Sequence, residues 1–288
     1  MAAALSLLYT ALMILSSAAS ISGNLLLLLV LFLNQELQSD TLGLTLSSGL
    51  SDLAVGLSSL PFGAHNSLWW PSGWTTRGLL CQGGGFILVL LQTASIHSLT
   101  WTTVDKFTEI CFALSYRSLW TAHRSRAVLV SVWLFCLVNA SLPLVGFGSY
   151  SYSESRFLCG PEFIPKNKSF VLLWMAVSIT APILAMCSLY GYIIYVATKQ
   201  AQRGTFMCNE LHCFYVPAKT YLRSSVVMVT TSVCLLVCWL PYIIVGLYET
   251  FSGQQSPAMS SALSTWLVLT SSALNPWITC MTQKRVHV

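Results

Sequence analysis

The sequence predicts an all-α membrane protein, a bundle of seven transmembrane helices with its N-terminus outside the cell. Three observations carry that prediction. Only 8% of the 288 residues are charged and 55% are hydrophobic, whereas a soluble domain carries about 25% charged residues. Apolar runs long enough to cross a bilayer, about 20 residues each, recur along the whole chain. The basic residues also divide unequally between the two sets of connecting loops. Size excludes a secreted disulfide scaffold, low charge excludes disorder, and the apolar runs exclude an ordinary cytosolic enzyme.

Reading from charge to charge places the spans at 6–33, 42–64, 79–104, 127–147, 170–197, 225–247 and 259–281. They form one domain. The runs are continuous and too long for barrel strands of about 10 residues. The first span is not read as a cleaved leader, because it lacks a basic start and its apolar stretch continues through Leu25 to Leu33. Gln92, Ser95, His97 and Ser178 make the third and fifth spans moderately polar, as suits helices facing a bundle interior.

Loop charge sets the orientation. With the N-terminus outside, the inner face holds Lys106, Arg117, Arg124, Arg126, Lys199, Arg203, Lys219, Arg223, Lys284 and Arg285. The outer face holds only Arg77, Arg156, Lys166 and Lys168. The net charge of +5 therefore reflects the inner-face bias, and nothing supports nucleic-acid binding. The sequon Asn167-Lys168-Ser169 falls in the second outer loop, where a glycan is topologically allowed. A second sequon, at Asn139, lies inside the fourth span and is a chance match.

Polar groups inside a membrane are costly and mark function. Asn24 follows Gly23 in the first span, Asp52 follows Ser51 in the second, Ser95 lies mid-way along the third, and Asn275-Pro276 interrupts the seventh. Cys81 opens the third span and Asp105 closes it. Trp133 lies in the fourth, Pro182 and Tyr190 in the fifth, and Cys238-Trp239-Leu240-Pro241 in the sixth. In this order, one landmark per helix, the chain resembles a class A, rhodopsin-like G-protein-coupled receptor of the orphan type.

The resemblance implies a multi-pass receptor of the plasma membrane that signals to heterotrimeric G proteins. It implies a disulfide between Cys81 and Cys159, both on the oxidising side. It also implies a sodium ion at Asp52, Ser95, Ser272 and Asn275, an all-oxygen set that suits a hard cation; no other cofactor is expected. Pro241 and Pro276 each remove a backbone hydrogen bond and loosen their helices. In the family such points let helix six swing outward at its inner end, with Trp239 relaying the change.

The chain also departs from the family. Asp-Arg-Tyr is replaced by Asp105-Lys106-Phe107, exchanging a planar fork of donors for a point charge. Lys106 is expected to pair with Asp105 at rest. Asn-Pro-x-x-Tyr ends here in Thr279, which lacks the reach to join Tyr190 through water, and only Thr282 to Val288 follow the seventh span. Tyr221 stands where many receptors carry an acid that locks helix six.

Leu88 occupies the position of the amine-binding Asp of aminergic receptors, and the seventh span has no lysine for retinal. The expected ligand lining is Phe86, Leu88, Leu91, Gln92, Trp174, Trp239, Tyr242, Tyr248 and Trp266, apolar and aromatic with few polar handles, as suits a lipid-like or small apolar ligand. The second outer loop is long enough to cover or enter this pocket. The tract from Leu240 to Trp266 resembles orphan receptors with high basal signalling through the stimulatory G protein.

Enzymes are excluded further: the motifs of intramembrane serine and aspartyl proteases do not occur. Cys208, His212 and Cys213 are too few to argue for a metal site. Seven unlike spans lack the repeated halves of a transporter. The rival reading is a receptor-fold decoy, or a modulator that dimerises with another receptor, supported by Lys106 and Thr279. The intact set Asp105, Tyr190, Trp239, Pro241 and Asn275 favours a signalling receptor.

Overall fold

The computed structural model describes the backbone at 2–33, 41–69, 78–203, 206–208, 213–215 and 218–283, and side chains at 6–33, 41–69, 78–112, 114–196, 198–199 and 229–277. The spans are helices: Ala2–Leu33 for the first, Leu79–Cys111 for the third, Ala122–Ser141 for the fourth, Ala218–Ser252 for the sixth and Ala258–Gln283 for the seventh. Most run beyond the apolar stretches. A helix propagates one hydrogen bond at a time and does not stop where hydrocarbon does. Among the described residues, five helices are long and apolar enough to cross a membrane. The second and seventh spans are not among them.

The second span is broken. Leu42–Leu57 and Ser59–Leu68 meet at Ser58, whose hydroxyl donates to the Ala54 carbonyl at 2.6 Å. Pro61 sits in the first turn of the second piece, where its missing N–H costs no helical bond. The seventh span is rich in hydroxyls, and several of them bond back to its own carbonyls, such as Thr265 to Ser261 at 2.8 Å. These two helices are packed mainly by protein, so their polar faces are met inside the bundle.

The fifth span is compound. Lys168–Trp174 is α-helical, Met175–Thr180 is a π-turn, and Ala181–Arg203 resumes the α-helix. Pro182 explains the widening, because it cannot donate to the carbonyl one turn back. One extra residue per turn rotates the outer half of the helix by about 100°. Trp174 and Ser178, 3% and 0% exposed, thereby face the core.

The second packs between the first and third, the seventh against the first and sixth, and the fifth against the third and sixth. The largest apolar core lies between spans three, five and six, with Met186, Ile179, Val171 and Trp239 buried. Above it the second outer loop folds as a β-hairpin. Strand β1 (Tyr150–Ser153) pairs antiparallel with β2 (Leu158–Pro161), from Tyr150 opposite Pro161 to Ser153 opposite Leu158. Gly85 permits the hairpin to sit on the third span, since a Cβ there would lie 2.7 Å from the Tyr150 ring. The Tyr150 hydroxyl then donates to the Ala140 carbonyl at 2.8 Å.

The third inner loop carries a second small ladder, Phe206–Cys208 paired with Cys213–Tyr215. The side chains of Cys208 and Cys213, all of His212, and the Tyr221 and Thr279 side chains lie outside the described residues. So do Arg77, Lys284, Arg285 and the first inner loop at 34–40.

Candidate ligand cavity and signalling switch

Where spans three, five, six and seven meet below the hairpin, a cavity of about 20 Å³ remains. That volume holds about one water molecule. Leu88, Gln92, Trp174, Trp239 and Tyr242 line it as the sequence predicts. Trp266 does not: its indole N–H donates to Ser16 Oγ at 3.0 Å, toward the first span. Its neighbour Thr265 takes the cavity wall instead, because successive helical residues point about 100° apart. Leu91 packs with Trp266 in the cluster of Tyr9, Met13 and Leu60, Phe86 packs against the main core, and Tyr248 is exposed. Val268, Leu269 and Pro161 complete the lining. Pro161 comes from β2, two residues after Cys159, and no local sequence signal announced it.

The hairpin is tied down at several points. Cys81 and Cys159 form the expected disulfide to the top of the third span. Arg156 Nη2 meets Glu249 Oε2 of the sixth span at 2.5 Å, with both side chains mostly buried. Glu249 Oε1 also accepts from the Ser256 backbone N–H at 3.2 Å, Ser256 Oγ at 2.6 Å and Ser261 Oγ at 3.2 Å. The Arg156 guanidinium lies 4.7 Å over the Phe163 ring, and Phe163 meets Tyr242 edge-on at 5.6 Å. Asn66 Nδ2 donates to the Phe157 carbonyl at 3.1 Å, where Phe157 turns the hairpin with φ of 56°. In the same loop, burial first and the Glu154 charge second push the Tyr152 phenol up to about 12, which keeps it neutral.

Asn167 is held inside the second outer loop. It is 6% exposed, and its amide donates to Ser149 Oγ at 2.7 Å and to the Glu162 carbonyl at 3.0 Å. In this fold its side-chain nitrogen helps to hold the loop.

Below the cavity the predicted polar residues converge. Asn275 Nδ2 donates to Asp52 Oδ2 at 2.9 Å and to Ser95 Oγ at 3.2 Å. Asn24 Nδ2 donates to the Ser20 and Ser272 carbonyls at 2.8 and 3.0 Å, and Ser20 Oγ donates to the Asp52 carbonyl at 2.9 Å. Spans one, two, three and seven are thus joined at one level. Asp52 Oδ1, Ser272 Oγ and Asn275 Oδ1 are buried there without a hydrogen-bond partner. One carboxylate oxygen and two neutral oxygens beside it, all without a partner, fit a hard cation.

At the inner end, Asp105 accepts from the Tyr116 hydroxyl at 2.7 Å and from Thr41 Oγ1 at 3.0 Å. Lys106 pairs with Glu109 at 2.9 Å, not with Asp105 as expected. Adjacent residues diverge on a helix, whereas residues three apart share a face. Glu109 supplies that partner, and an i,i+3 search would have found it. Tyr190 reaches Thr103 Oγ1 at 3.0 Å, so it already bridges spans three and five within the core.

The bundle thus carries a disulfide-tethered outer loop, a central polar cluster and a buried acid at its inner end. The family model of the seven-transmembrane receptors of the rhodopsin family matches residues 23–278, and the chain belongs to that family. It is therefore a G-protein-coupled receptor, a multi-pass protein of the plasma membrane and not an enzyme. Among curated relatives, the dog histamine H2 receptor is 27% identical over 260 residues, 89% of this chain and 71% of its own length. The human adenosine receptor A2b is 27% identical over 287 residues, 93% of this chain and 84% of its own.

The buried ion pair generates a prediction. Removing one partner of such a pair leaves the other charge unanswered and costs about 3–5 kcal/mol. Glu249→Ala is therefore expected to lower the thermal unfolding midpoint of the purified receptor by several degrees. Arg156→Met combined with Glu249→Leu should recover part of that loss. An unchanged midpoint in Glu249→Ala would show that the pair stabilises nothing.

Proposed function

We propose that this receptor answers a non-aminergic ligand, and signals basally in its absence, through outward movement of the sixth helix about Pro241. Leu88 carries the ligand part of that reading: a wall with no acid offers no counter-charge to an amine. The relatives named for histamine and for adenosine share the family's scaffold with this chain, and the lack of a counter-charge sets its cavity apart from an amine site. Basal signalling is supported by a hairpin that already covers the cavity, with Pro161 in its wall, and by Tyr190 seated in the core.

The switch residues in this reading are Asp105, Lys106, Tyr190, Pro241, Asn275 and Pro276. Asp105 is held by Tyr116 and Thr41, which leaves Lys106 outside its grip. The measurement is cAMP output and G-protein dissociation without added ligand, at matched surface expression. Parent output above mock cells is expected, with a rise of severalfold in Asp105→Asn as its hydrogen bonds weaken. Silence of the parent, Asp105→Asn and Lys106→Arg alike would favour the decoy or dimerising modulator.

We further propose that Asp52, Ser95, Ser272 and Asn275 hold a sodium ion. The ion would supply the positive charge that the buried carboxylate lacks and would bind spans two, three and seven together. Replacing sodium chloride by choline chloride should lower the unfolding midpoint of the parent but not of Asp52→Asn. Equal midpoints of the parent in both salts would remove the ion from the account.

A further inference from the structure

Two side-chain N–H groups on residues that line the outer cavity have nothing to donate to. Trp174 and Gln92 are 3% and 4% exposed, both line the cavity, and Trp174 Nε1 and Gln92 Nε2 are buried without a hydrogen-bond partner. An indole N–H is a donor only, so nothing but an acceptor satisfies it. A buried donor left unmade is costly, and such costs are retained where a ligand completes the bond. Trp239 and Tyr242 bring the other polar side-chain groups of the wall, an indole N–H and a phenol hydroxyl. Leu88, Val89, Val268 and Leu269 are apolar, and the Thr265 hydroxyl already donates to the Ser261 carbonyl.

Charge is absent from the lining as well. No acid or base is among the cavity residues, and the ion pair above it, Arg156 with Glu249, closes on itself. A cationic ligand would lose its hydration with no anion in return, and an anionic one would meet no cationic side chain in the lining. A pure hydrocarbon would fill the space but leave both donors unmatched.

We propose, resting on the non-aminergic reading above, that the cavity recognises a neutral and mainly apolar ligand through one hydrogen-bond acceptor, a carbonyl or ether oxygen set against Trp174 Nε1 and Gln92 Nε2. At about 20 Å³ the cavity admits nothing larger than water while the hairpin is down. The ligand therefore displaces the β2 segment at Pro161, and its apolar body takes the place that segment leaves.

Three probes of one size and different polarity test this: acetophenone, ethylbenzene and 2-phenylethylamine. Saturation-transfer NMR reads their contact with the receptor in phosphatidylcholine nanodiscs, with empty nanodiscs subtracted. The parent should bind acetophenone about fivefold better than ethylbenzene, the ratio that one net hydrogen bond supplies. Trp174→Phe and Gln92→Leu should each reduce that preference while leaving the ethylbenzene signal, which shows that the cavity survives the substitution. Equal ketone and hydrocarbon signals in the parent would overturn the acceptor proposal and leave the non-aminergic reading standing. So would a ketone preference that persists in both variants, or no signal from any probe. A dominant 2-phenylethylamine signal would overturn both.

Discussion

Everything in this bundle is arranged around a carboxyl group that hydrocarbon cannot accommodate. Asp52 is 1% exposed at the middle of the second span, where neither water nor lipid can answer it. The answer comes from Asn275, across 223 residues of sequence, and through it from Ser95. That requirement brings the seventh span against the second and third. The first span follows, because Asn24 and Ser20 bond to carbonyls on the seventh and second. The hydroxyl-rich seventh helix and the broken second helix are tolerable in a membrane only because this cluster draws their polar faces inward.

The two ends of the bundle are then free to take different roles. At the outer end, the hairpin links the third span by its disulfide to the sixth by Arg156 and Glu249, and it leaves room for about one water beneath. At the inner end, Asp105 is held by the second span and the second inner loop, while Lys106 turns to Glu109. Pro241 and Pro276 lie inside continuous helices, Pro276 directly after Asn275 of the polar cluster. A change at the outer tie reaches the inner end as a bias on a two-state helix, and its size is bounded by the difference in contacts between the two states.

Much of the scaffold was legible in the sequence, because the signals are strong ones. Membrane-length runs and unequal loop charge place the helices, and Asp52 and Asn275 stand out as polar residues in apolar surroundings. The disulfide was legible through family likeness alone. Other features were hidden because they depend on distant geometry. The Arg156 and Glu249 pair joins a loop to a helix 93 residues away, and only the hairpin register makes it possible. The π-turn before Pro182 shifts which side of the fifth helix faces the cavity, a rotation that a 3.6-residue reading does not contain. Trp266 and Lys106 show the same weakness in small: Trp266 is one residue from Thr265, which takes the cavity wall, and Lys106 is one residue from Asp105, and one residue is enough to turn a side chain away.

The central claim is that Asp52 and Asn275 act as one unit, and a reciprocal exchange tests it. Thermal unfolding would be measured for Asp52→Asn, Asn275→Asp and the double exchange, which restores one acid and one amide with their places reversed. Coupling predicts a double variant more stable than the sum of the two single losses by about 1–3 kcal/mol. Strict additivity would mean that the two residues do not depend on each other, and it would contradict the account.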